Sequence, residues 1–268
     1  MKIRFFNPGL GYRKIKPDID EAIHRILDRG DLILREDVEQ FEENLARYVG
    51  TKYAVALNSG TDALVLALKA AGLGRSIWSV SVPAHTFKAT AGAVKTVAYD
   101  ANIDVYDLGE MPDDPDIAVV AHIAGELYPI PTAQYAVIED AAQALGAVKN
   151  PTSLAQTWSF YPAKILGAYG DAGALTTNDK NVYEYVKEAR NHFKTDNQEF
   201  GINSRMDNLQ AAVLNVKFKY LPEFLGRREE IAEMYYEGLK DLEESGKIKL
   251  PNRQKGRVYQ DFILQVLE

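Results

Sequence analysis

The chain has 268 residues, 46% of them hydrophobic and 26% charged, with a formal net charge of −7, the size and mix of one large soluble domain or a domain and a half. Acids and bases are interspersed without a basic stripe, which argues against a nucleic-acid binder, and no run reaches the roughly 18 apolar residues of a membrane span. The absence of cysteine excludes disulfides, thiolate metal sites and a cysteine nucleophile; with an N-terminus that lacks the apolar core of a signal peptide and four scattered histidines without metal-ligand spacing, it points to a cytoplasmic protein with no metal.

In chain order, helix and strand signals alternate, as in a layered α/β fold. Residues 17–29 carry apolar side chains at helical spacing, with Pro17 at the start and Gly30 just past the end. Residues 35–48 repeat the pattern and stop at Gly50. A short strand at 53–57 runs into Asn58-Ser59-Gly60-Thr61, followed by an Ala/Leu-rich helix at 62–71. Strand 77–82, helix 87–94 and strand 117–122 come next. A buried strand at 135–139 ends at Asp140. A strand-like aromatic run then leads to Lys164 and a loop rich in small residues, from Gly167 to Ala174. Helices follow at 182–193 and 206–220, then a long charged helix at 226–245. The last two segments, 247–250 and 258–267, have strand character. No internal repeat or low-complexity segment is visible.

Several of these features carry chemistry, each with a plainer alternative. Lys164 is flanked by Pro162, Ala163, Ile165 and Leu166. An amine held in apolar surroundings loses proton affinity and becomes a competent nucleophile toward a carbonyl compound. Ser59-Gly60-Thr61 lies where a helix start presents free N–H groups and a partial positive charge to an anion; the same residues also suit simple N-capping. Asp140 ends a buried strand, where open α/β sheets hold ligands, and could pair with a protonated ring nitrogen; as an alternative it caps a following helix. Phe87, in PAHTFKAT, could lie over a planar ring, although an aromatic side chain is more often core. For His85 and His122 a hydrogen-bonded structural role is the simpler reading.

The order of these parts, in the segments FEENLARYVGTKYAVALNSGTDALVLAL, VPAHTFKATAGAV, VIEDAAQALGA, SFYPAKILGAYGDAGALTTND and GINSRMDNLQAAVL, closely resembles the pyridoxal-phosphate sugar aminotransferases of the DegT/DnrJ/EryC1/StrS family. The matches cover most of residues 30 to 215. The form SFYPAKILGAYGDAGA looks most like the branch that aminates keto groups of nucleotide-linked hexoses, often at C3. The resemblance implies an aspartate aminotransferase-like fold type I, a three-layer α/β/α large domain over residues 1–225. A linking helix and the start of a truncated small C-terminal domain would occupy residues 226–268. It implies that Lys164 joins pyridoxal 5'-phosphate covalently and moves protons. Asp140 would keep the ring nitrogen protonated. Gln143, three residues on and so on the same helical face, would meet the ring edge, Phe87 its face, and Gly60, Thr61 and Ser159 the phosphate. Asn203 would reach the phosphate from the neighbouring subunit of a homodimer. The amino donor would be glutamate, passing through pyridoxamine 5'-phosphate to a nucleotide-linked keto-sugar.

The chain also departs from the family. It stops where members enter the small C-terminal domain, leaving out roughly a quarter of their length, a domain-sized piece. The segments AHIAGELYPIPTAQYAVIED and AVKNPTSLAQTWSF are compressed, and Ile165 stands where Asn is common. Two other functions compete. A dehydratase of this fold would carry histidine in place of Lys164. A non-enzymatic sensor would keep the fold and lose the transfer.

Overall fold

The computed structural model describes residues 6–110, 115–131, 135–195 and 199–267; residues 132–134 of the compressed segment before Asp140, and residues 1–5, lie outside them. Helices α1 (Pro8–Lys14), α2 (Lys16–Arg29) and α3 (Glu36–Val49) open the chain. α2 and α3 end at the glycines marked as stops, Gly30 and Gly50, with φ of 69° and 87°. Next come β1 (Tyr53–Leu57), α4 (Gly60–Ala70), β2 (Ser79–Pro83), α5 (Lys88–Val97), β3 (Asn102–Tyr106), β4 (Ile117–Ala121) and β5 (Ala136–Asp140). The rest is β6 (Ala155–Ser159), β7 (Gly173–Thr177), α6 (Lys180–Ala189), α7 (Asn208–Lys219), α8 (Leu221–Glu244), β8 (Ile248–Lys249) and β9 (Gln265–Val266).

Strands β1 to β7 form one sheet in the spatial order β3-β2-β4-β5-β6-β7-β1. Only β7 runs antiparallel to its neighbours. Helices cover both faces of the sheet, α4, α5 and α6 on one and α3 and α7 on the other. That is why β4 (IAVVA) is buried at every position. Period-two alternation sorts the side chains. Val55 and Leu57 of β1 join the core made with α4, α5 and α6. Ala54 and Ala56 join the opposite core, with Phe41 and Leu45 of α3 and Ala211 and Leu214 of α7. The result is three layers, α/β/α. Edge strand β1 is covered on its outer side: the Ala56 N–H donates to Glu42 at 2.7 Å, and Arg190, ion-paired with Glu42, donates to the Ala56 carbonyl at 2.9 Å.

Several sequence-predicted boundaries move, each for a local reason. α8 begins at Leu221 rather than 226, because Pro222 sits in the first turn, where a missing N–H costs nothing. α6 stops at Ala189 because His192 and Phe193 take positive φ values of 69° and 50°. The small-residue loop after Lys164 ends at Ala172, and Gly173 already belongs to β7. The predicted strand over 258–267 shrinks to Gln265–Val266. Its first part instead spends its N–H groups elsewhere: Val258 donates to Gly125 at 3.1 Å and Gln260 to Ala124 at 3.2 Å. This lays an irregular segment beside the C-terminal ends of the central strands. Among the described residues no helix is long and apolar enough to cross a membrane.

Candidate active site

The parallel strands end along one edge of the sheet, and the residues just beyond β1, β2, β4, β5 and β6 converge there. Gly60, Thr61, Phe87, Asp140, Gln143, Ser159 and Lys164 line one cavity of about 400 Å³, at the place where open α/β sheets hold ligands. Asn203 is not among its lining residues; it is exposed, in a bridge to Asn191.

At the start of α4, Ser59 is the N-cap, its Oγ accepting from the Asp62 N–H at 3.0 Å. The capping alternative therefore holds for Ser59, and it leaves Gly60 and Thr61 facing the cavity. Two glycines make this turn possible by close approach. A Cβ on Gly60 would lie 2.9 Å from Ser159 Cβ, and one on Gly173 would lie 2.2 Å from the Ser59 carbonyl carbon. The loop lies directly on β6 and β7. Ser159 Oγ accepts from the Tyr161 N–H at 3.3 Å, so its proton is free to donate.

Asp140 is buried at the end of β5. Its carboxylate accepts from Thr90 Oγ1 at 3.0 Å and from the Ala142 N–H at 3.2 Å. Burial holds its pKa above the ordinary carboxylate value, against these two bonds and the charge of Lys164. No helix follows, so the helix-cap alternative fails: residues 141–147 form turns. Gln143 thus reaches the cavity from a turn and not from a helical face, because Ala141 and Ala144 close short turns there. Its Oε1 accepts from the Ala124 N–H at 2.5 Å, which leaves its amide N–H2 for another partner.

Lys164 lies in a tight turn, its own N–H donating to the Tyr161 carbonyl at 2.8 Å. Among the described residues nothing hydrogen-bonds its Nζ. Burial lowers its pKa below the ordinary lysine value, opposed by the charges of Asp140 and Asp261. Phe87, the residue before α5, is 70% exposed, with its ring at the cavity rather than in the core.

The two histidines differ. His122 is buried; its Nδ1 accepts from the Tyr128 N–H at 3.2 Å, so Nε2 carries the proton and donates to Glu139 at 2.9 Å. Its ring also lines the cavity. His85 is exposed, so the structural reading fails for it; it sits in the turn after β2 with no core to enter. Thr90, which steadies both Asp140 and Thr86 Oγ1 (2.8 Å), is absent from the sequence-predicted site. Its one signal was position: three residues after Phe87, on the inner face of the same helix.

Fold and site together define an α/β protein of the aspartate aminotransferase-like fold type I with a free lysine facing a buried aspartate. The sequence matches the DegT/DnrJ/EryC1/StrS aminotransferase family over residues 13–107 and 117–268, and the chain belongs to that family. It is 34% identical over 270 residues to dTDP-3-amino-3,4,6-trideoxy-alpha-D-glucose transaminase from Streptomyces venezuelae, covering 90% of this chain and 70% of that one. The solved structure of S. venezuelae DesV in complex with a ketimine intermediate superposes with a TM-score of 0.84 at 29% identity, over 99% of this chain and 78% of that one. A structure of ntda from Bacillus subtilis with bound cofactor PMP gives 0.83 at 27%, over 99% and 67%.

Proposed function

We propose that this chain is a pyridoxal-phosphate aminotransferase that takes the amino group of glutamate and places it on a nucleotide-linked keto-sugar. The observation that carries the reading is the Lys164 amine, without a hydrogen-bond partner among the described residues, sharing one cavity with buried Asp140 and the open start of α4. The relative named above acts on a dTDP-linked sugar, and the structure with bound PMP supports the cofactor.

The residues fit the group. A cavity of about 400 Å³ lies within the usual range for small-molecule sites, and Gly60 leaves room that a Cβ would fill. When bound, the cofactor supplies an aldehyde carbon for covalent attachment and a ring that accepts electrons. Gly60 and Thr61 N–H groups and the Ser159 hydroxyl would hold its phosphate by charge-assisted hydrogen bonds. Asp140 would hold the proton on the ring nitrogen, whose positive charge returns the carboxyl to its ionised form. Gln143 would donate to the ring-edge oxygen and Phe87 would cover a ring face. Lys164, displaced by the amino donor, would carry a proton between the donor's amino-bearing carbon and the aldehyde carbon of the cofactor. Its lowered proton affinity suits both halves of that transfer. Asn203 would complete the phosphate site of the neighbouring subunit in a homodimer. The exposure of Asn203, one residue from Ser204, which bonds Asp62 of α4, supports this. We take residues 1–225 as the cofactor-binding unit. The separate small core around Ala232, Tyr236, Ile248 and Leu250 supports a second unit within 226–268.

The test is direct. Protein incubated with pyridoxal phosphate, reduced with borohydride and digested should carry the tag on Lys164. Glutamate should bleach the bound chromophore as it becomes 2-oxoglutarate, and the member of a panel of keto-sugar nucleotides that accepts the amine should restore the chromophore. Lys164→Ala should abolish turnover, by at least about 1000-fold, while still binding the cofactor without a covalent bond. A tag on another residue would overturn the assignment, and a chromophore that glutamate leaves unchanged would point to a sensor instead.

A further inference from the structure

The amide of Gln260 straddles Lys164. Its Nε2 donates to the Ala163 carbonyl and its Oε1 accepts from the Ile165 N–H, both at 3.0 Å. The two bonds have opposite polarity, so they fix which way the amide faces and grip the peptide groups on both sides of the lysine. We infer that Gln260 is a positioning residue for Lys164, setting how the amine approaches the carbonyl it attacks; the inference rests on the cofactor reading above.

The backbone at Tyr259 and Gln260 is itself held at three points. The Gln260 N–H donates to Ala124 at 3.2 Å, and Arg228 of α8 donates to the carbonyls of Tyr259 and Gln260, each at 2.9 Å. The same Ala124 donates its own N–H to Gln143. One segment thus supplies the reference for the lysine turn and for the Gln143 turn. From the other side, Lys217 of α7 donates to the Gly167 carbonyl at 2.6 Å. The side chain of Lys164 is a flexible four-carbon stem, and among the described residues nothing hydrogen-bonds its Nζ. Its aim is therefore set where the stem begins, at the backbone that Gln260 clamps. Misplacement by even a small fraction of its length lowers the rate of reaction steeply.

A control is built into the same segment. Gln254 clamps Leu127 in the same way, accepting from its N–H at 2.8 Å and donating to its carbonyl at 2.7 Å, away from Lys164. Gln260→Met and Gln254→Met each remove one such two-bond clamp at nearly constant volume. Stopped-flow absorbance would follow attachment of pyridoxal phosphate to Lys164, and fluorescence titration would give the affinity for pyridoxamine phosphate, which forms no bond to the lysine. Gln260→Met should slow attachment roughly 10- to 100-fold and leave pyridoxamine phosphate affinity within about twofold, since the backbone bond that supports Gln143 remains. Gln254→Met should leave both unchanged. Should Gln260→Met not fold, Gln260→Asn, whose amide stops one carbon short of both partners, is read the same way. Attachment at the wild-type rate, equal slowing in the two Met variants, or a parallel loss of pyridoxamine phosphate affinity would overturn the inference. Wild-type protein that takes no tag on Lys164 would instead defeat the functional reading beneath it.

Discussion

Asp140 is a carboxylate kept out of water with two hydrogen bonds and, among the described residues, no ion pair. Burial raises its pKa in the folded chain. The folded state therefore keeps a proton that the unfolded chain has released, and stability falls as pH climbs from the ordinary carboxylate value to the raised one. Above that window the ionised group destabilises the cofactor-free fold in full. Asn removes the charge while its Oδ1 still accepts from the Ala142 N–H and its Nδ2 donates to Thr90 Oγ1, whose own proton can turn to Thr86. Asp140→Asn should thus raise the thermal midpoint of the cofactor-free protein at pH 7, by about 1 kcal/mol in stability, while turnover collapses. The gain should shrink as pH is lowered toward 4, and calorimetry across that range checks it; a variant less stable than wild type at pH 7 would refute it. This opposition between stability and function was half legible in the sequence. A lone lysine in an apolar setting and an aspartate at the end of a buried strand stand out by local context. Thr90 and Gln260 do not, because their partners lie 50 and about 100 residues away and only the fold brings them near.

At the scale of elements, the turn at the start of α4 depends on contact between a loop and two strands. Gly173 opens β7 where the Ser59–Gly60 backbone lies on it. Small residues were needed there for packing, and they hid the strand: GALTT opens with Gly and Ala and so continues the run of small residues that begins at Gly167. The inner parallel strands and their helices were legible because burial on both faces demands apolar runs and helical periodicity between them; β3, at the sheet edge with no buried residue, carries no such run and was missed. Gly173→Ala forces a methyl group to within 2.2 Å of backbone, which no rotamer can relieve. It should destabilise the fold by about 2–3 kcal/mol and weaken affinity for pyridoxal phosphate and inorganic phosphate together. Gly92, in α5 with open space around it, is the control: Gly92→Ala should stabilise by about 0.5–1 kcal/mol and leave both affinities alone. Urea unfolding and phosphate competition would separate the two, and a neutral Gly173→Ala would remove the close-approach argument.

Across the whole molecule, the chain passes through both helical layers and then returns along residues 257–261 to the lysine turn, a return invisible to periodicity because it forms no ladder. Two layers thus grip the same turn: the C-terminal segment through Gln260, and α7 through Lys217. The second grip has a cost in charge. Lys217 donates to Gly167 and stands 3.8 Å from the centre of the Tyr169 ring, yet burial outweighs both contacts and lowers its pKa to about 8. Lys164 shifts in the same direction. Between pH 8 and the ordinary lysine value, the unfolded chain holds protons that the folded chain has lost, so stability must rise with pH through that window. Tyrosines whose pKa burial raises, such as Tyr48 and Tyr185, oppose this only near pH 10 and above, where the unfolded chain begins to ionise. We therefore expect the urea midpoint of the cofactor-free protein to climb between pH 7.5 and about 9.5. Lys217→Met should reduce that climb to the part still supplied by Lys164 and by Lys149, whose pKa burial lowers to about 8, whatever it does to the midpoint at pH 7.5. An unchanged slope in the variant would mean that Lys217 is solvated in the folded chain, and the grip of α7 on the lysine turn would have to come from packing alone.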